Sequence, residues 1–108
     1  MNQYIYKLHL NRPELLTQGP SDEESEILQD HAAYIAKLTN ENRVLLAGRT
    51  QTTDTDTFGI VIFCAASEDE AKALMANDPA VKNQVMNAKL FPYSISFLAD
   101  EIHKHLVD

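Results

Sequence analysis

The sequence has one cysteine, no tryptophan and three glycines in 108 residues, and each shortage removes a class of explanation. With Cys64 alone, no disulfide can form within the chain, and paired-cysteine motifs for zinc or redox exchange are ruled out. Its place inside an apolar run predicts a buried, inert thiol. The glycines, at positions 19, 48 and 59, are too few and too scattered for a phosphate-cradling loop, so no nucleotide is expected. Basic residues are also scarce: 9 Lys and Arg stand against 16 Asp and Glu, a formal net charge of -7. Such a surface repels phosphate backbones and anionic lipid alike, which argues against nucleic-acid and membrane partners. No window approaches the roughly 20 apolar residues of a membrane-spanning helix. Residues 1–7 lack the charged start and apolar stretch of a secretory signal, so the expected location is cytoplasmic. His9, His31, His103 and His105 show no HxxxH or HExxH spacing, and neither a metal nor any other cofactor is expected.

Hydrophobic residues make up 44% of the chain, an ordinary globular share. The length suits one domain with a single core. Residues 3–10 alternate as a strand, with Tyr4, Tyr6, Leu8 and Leu10 on one side. Residues 11–20, with Pro13, Gly19 and Pro20, read as a loop. Ser21 and Glu24 have capping-box spacing ahead of a helix with an apolar stripe at Ile27, Leu28, Ala32, Ile35 and Leu38. Residues 44–48 and 58–65 read as strands, separated by a Thr/Asp-rich loop. Ser67 and Glu70 repeat the capping box before a second helix, which stops at Asn77-Asp78-Pro79. Residues 80–84 suit another helical turn. Residues 85–98 read as a last strand, with Pro92 implying an edge or a bulge. The domain is therefore set at residues 1–98, and a short helical tail at 99–108 gathers Ile102, His105 and Leu106 with Leu98.

The order β-α-β-β-α-β is the split βαβ arrangement of a ferredoxin-like α+β fold with a four-stranded antiparallel sheet. Its third strand is apolar on both sides: Phe58, Ile60, Ile62 and Cys64 alternate with Val61, Phe63 and Ala65. Two helices cover one sheet face only. A second copy on the open face is the simplest cover for the other, so a homodimer is expected.

His31 lies three and four residues from Leu28, Ile27 and Ile35, on the inward stripe of the first helix. Its spacing alone fits either a hydrogen-bonded core histidine or a general acid/base. Asp78 precedes a proline, as turn-forming aspartates do. Both helices pack on one face in this fold, so Asp78 at the end of one can also reach a histidine on the other. Arg12 and Arg49 are candidates for binding a substrate carboxylate, and Tyr6 and Tyr34 for donating a phenol to a ligand.

The string from His31 to Leu38 (HAAYIAKL), then Leu46-Ala47-Gly48, Ser67-Glu68-Asp69-Glu70-Ala71 and Asp78-Pro79, resembles the YciI-like (YCII-related) family. Arg12-Pro13 before the first helix resembles its longer members. The likeness spans roughly residues 3–95. It implies a dimeric α+β barrel akin to muconolactone isomerase and chloromuconolactone dehalogenase, with a His and an Asp as the active-site pair; the matching positions are His31 and Asp78. Where the family commonly has Pro after Ala-Gly, this chain has Arg49, a departure that bears on the pocket's shape. The tail from residue 99 lies past the shared region. The expected activity is cofactor-free proton transfer on a small anionic molecule, of isomerase, lyase or dehalogenase type. The alternatives are a non-catalytic metabolite-binding or stress-related module, and a structural protein with His31 in its core.

Overall fold

The computed structural model describes residues 1–102. Its elements run β1 (Asn2–Leu10), α1 (Glu14–Thr17), α2 (Asp22–Asn40), β2 (Val44–Arg49), β3 (Gly59–Ala65), α3 (Glu68–Ala76), α4 (Pro79–Lys82) and β4 (Met86–Tyr93). The strands form one antiparallel sheet in the order β2-β3-β1-β4. This is the ferredoxin-like α+β arrangement.

Each element traces to local chemistry. Ser21 caps α2 with its side chain on the Glu24 N–H, and the Glu24 carboxylate returns to the Ser21 N–H, closing the capping box. The helix ends where Asn42 takes a left-handed conformation (φ 61°), which asparagine tolerates, and the Arg43 N–H reaches back to the Leu38 carbonyl. At α3 the box is only half formed. Ser67 accepts from the Glu70 N–H, but the Glu70 carboxylate binds the Ala66 N–H and Arg43 instead of returning to Ser67.

Two further boundaries differ from expectation. Pro13 opens the single-turn helix α1 within the expected loop, because its fixed φ suits a helix start. β4 stops at Tyr93, since Tyr93 pairs with Gln3 at the start of β1 and no partner strand continues beyond it. Pro92 sits on this edge strand, where a missing N–H is tolerated. Leu98 lies in the irregular segment after β4 and is exposed. His105 and Leu106, and with them most of the expected tail helix, lie outside the described residues.

The helices cover one face. Tyr4, Tyr6 and Leu8 of β1 and Val61, Phe63 and Ala65 of β3 meet Leu38 of α2 and Ala71 and Leu74 of α3 in a continuous core. The other face is mixed: Gln3, Lys7 and Lys89 stand beside Cys64 and Ile60 on it, and its apolar part is narrower than the β3 pattern alone predicts. Leu46, Ile62, Ile5 and Phe91 pair in register and make one apolar row across all four strands. The row's ends are open: Leu46 is 38% and Phe91 39% exposed. Cys64 lies on this face and is half-buried. The expectation of a buried thiol is corrected, because Cys64 points away from the helices that would cover it. Among the described residues, no helix is long and apolar enough to cross a membrane.

Candidate active site

Asp78 is fully buried, at the junction of α3 and α4. Asn77 closes α3, Pro79 opens α4, and Asp78 caps the new turn with Oδ1 accepting from the Ala80 N–H at 3.0 Å. Its remaining capacity is turned inward. Oδ2 accepts from the Tyr6 hydroxyl at 2.8 Å, and Oδ1 lies 2.7 Å from His31 Nδ1 on α2. An ionised carboxylate only accepts, so opposite ionised Asp78 the donor is His31 Nδ1. That hydrogen bond fixes the imidazole tautomer with its proton on Nδ1. Nε2 has no hydrogen-bond partner among the described residues.

His31 stands on the wall of a cavity of about 520 Å3 between α2 and the sheet. The size is that of a small-molecule site. The cavity exists where side chains are short: Ala32 and Ala36 of α2 face Ala47, Gly48 and Gly59 of the sheet. Ala32, expected in the packed stripe, is exposed at this opening. Leu10, Leu16, Phe58 and Met86 make the lining largely apolar, while His31 and Arg49 supply its ionisable groups. Leu16 arrives on α1, the turn that the sequence pattern concealed.

The YCII-related domain, as a family sequence model, matches residues 6–92. The chain belongs to the YCII-related family. No curated protein sequence matches it at a significant level. Among solved structures, a 5-chloro-2-hydroxyhydroquinone dehydrochlorinase from Burkholderia phenoliruptrix AC1100, in complex with 2,5-dihydroxybenzoquinone, is similar. It is 20% identical with a TM-score of 0.60, covering 84% of this chain and 93% of that one. A cofactor-independent oxygenase from Streptomyces nogalater aligns at 8% identity, TM-score 0.46, over 92% of this chain and 96% of its own.

In this YCII-related domain the other candidate residues fall in three places. Arg49 lines the cavity, is exposed, and forms no ion pair among the described residues. Arg12 does not line it. Its fork grips Glu24 twice, Nε at 2.9 Å and Nη2 at 2.5 Å, which ties the segment before α1 to the start of α2. The pairing, with the Ser21 N–H adding to it, lowers Glu24 from its ordinary value of 4.5 to about 2 and raises Arg12. The two tyrosines lie behind the cavity wall. Tyr34 donates to the Leu74 carbonyl at 2.7 Å, and Tyr6 to Asp78. Burial first, then the Asp78 charge, raises the ionisation of both. Tyr6 as an Asp78 partner was hidden in the sequence, though a clue existed: a phenol on the inward side of β1 needs a buried acceptor. Among the described residues no three His, Cys, Asp or Glu gather as a metal site would require.

Proposed function

We propose that this YCII-related protein is a cofactor-free enzyme that moves a proton on a small anionic organic molecule. The observation that carries the reading is the 2.7 Å contact between His31 Nδ1 and buried Asp78, with the same ring at the wall of an apolar cavity. His31 Nε2 takes a proton from carbon next to a carbonyl or lactone. The imidazolium that forms is stabilised by Asp78, and the displaced electron pair makes an enolate. Return of the proton at another carbon completes an isomerisation. Departure of a leaving group such as halide completes an elimination. Arg49, on the cavity wall, holds the substrate's anionic group.

Arg12 has no part in this proposal, because Glu24 already occupies its fork. Tyr6 and Tyr34 support the site from behind instead of touching substrate. We further propose that two copies pair through the open sheet face, where the ends of the apolar row, Leu46 and Phe91, otherwise meet water.

The test is a panel of small lactones, keto acids and halogenated hydroquinones, followed for turnover and for exchange of acidic C–H protons. His31→Gln should lower the rate by roughly 10²–10⁴-fold, the range for a positioned acid/base, while the variant stays folded. Equal rates in the variant overturn the reading. Ligand-induced thermal stabilisation with neither turnover nor exchange favours a binding module in its place.

A further inference from the structure

We infer that Tyr6 is a positioning residue for the acid–base pair: through Asp78 it sets how strongly His31 Nδ1–H is held. The Asp78 carboxylate receives three donors on two oxygens. Oδ1 takes His31 Nδ1 and the Ala80 N–H, whereas Oδ2 has Tyr6 as its one partner among the described residues. Rotation of the carboxylate about its Cβ–Cγ bond is therefore held on the Oδ2 side by a phenol from β1. That hydroxyl also draws part of the negative charge away from Oδ1, which weakens the pull of Asp78 on His31. A carboxylate left with all of its charge on the histidine side would grip Nδ1–H harder and twist freely at its other oxygen.

Tyr6 is well suited to this task. It is fully buried in the central strand, between β3 and β4, with its ring edge-on to Phe63 at 5.6 Å between centroids. The ring has no freedom to leave. Burial and the neighbouring Asp78 charge push its ionisation far above the ordinary range, so the hydroxyl keeps its proton and remains a donor. Tyr34, the other phenol nearby, is engaged by the Leu74 carbonyl and does not compete for Asp78. Arg49 shares the cavity wall with His31 and makes no ion pair with Asp78.

The inference rests on the proton-transfer reading only for its effect on turnover; the hydrogen bond itself can be read without substrate. In Tyr6→Phe the aromatic ring is kept and only the hydroxyl is lost. The expected result is a downfield shift of the His31 Nδ1–H proton in the NMR spectrum, as Asp78 turns its charge toward it. Incorporation of 3-fluorotyrosine in a Tyr34→Phe background keeps the hydroxyl and makes it a stronger donor, so the same resonance should move upfield. This second protein carries the test should Tyr6→Phe fail to fold. In an Asp78→Asn background the effect of either change should vanish. An Nδ1–H resonance that stays in place in both proteins, or that moves equally without the Asp78 charge, overturns the inference. The shift occurring while His31→Gln retains full turnover would sink the proton-transfer reading and leave Tyr6 as assigned.

Discussion

His31 and Asp78 stand 2.7 Å apart although they lie 47 positions apart in the chain. The aspartate is fully buried and the histidine side chain is 20% exposed. The pair is thus graded from interior to cavity, with a buried carboxylate behind a ring at the cavity wall.

Removing the anion should be felt in stability first. Asp78→Ala leaves the Tyr6 hydroxyl and the Ala80 N–H unpartnered in the interior, besides releasing His31. A loss of about 3 kcal/mol is expected in urea unfolding near neutral pH. A loss below about 1 kcal/mol would mean that water or a neighbour replaces the carboxylate at little cost.

Arg49 should discriminate by charge. For ligands that bind in the cavity, Arg49→Met is expected to weaken a carboxylate by about tenfold or more, as for a lost charge-assisted hydrogen bond. The matching neutral amide should bind the two proteins equally. Calorimetric titration of both ligands makes the comparison; equal weakening of the two would show that Arg49 only packs against them.

The open sheet face predicts the assembly. Phe91→Glu places a charge at the solvent end of the apolar row, on an edge strand where folding tolerates it. Sedimentation at micromolar concentration should show the wild type at twice the chain mass and the variant at the mass of one chain. A wild type that sediments as a monomer removes the basis of the pairing.

Acid should loosen the start of α2. Glu24 binds its proton at about 2 in the folded chain and at 4.5 ordinarily, chiefly because Arg12 holds its charged form. A lowered value stabilises the fold above pH 4.5, and that contribution fades as pH falls from there toward 2. Thermal melts across this window should show a shallower acid decline for Glu24→Gln than for the wild type. Parallel curves would mean that the Arg12 pair is absent in solution.

Much of the frame was legible because it is periodic. Tyr4, Tyr6 and Leu8 alternate, Ile27, His31 and Ile35 recur at four, and Ser21 stands three before Glu24; each rule acts over a few residues. Those signals located the strands, turned His31 inward and marked where α2 begins. The site itself depends on what lies between elements. No local rule tells that Glu70 leaves Ser67 for Ala66 and Arg43, or that a register shift between Val44 and Leu46 reseats β2 against β3. The cavity was hidden for a related reason. It is made of missing volume, at Ala32, Ala36, Gly48 and Gly59, and short side chains leave no periodic trace.

The sheet order has a consequence for how a molecule comes of age. The first strand is the seam, bonded to β3 on one side and to β4 on the other, and the histidine belongs to the earlier half of the chain while its aspartate belongs to the later. A nascent polypeptide cannot close the His31–Asp78 contact until residue 78 has been made and brought beside α2. A copy broken between the two holds the ring in one piece and its carboxylate in the other.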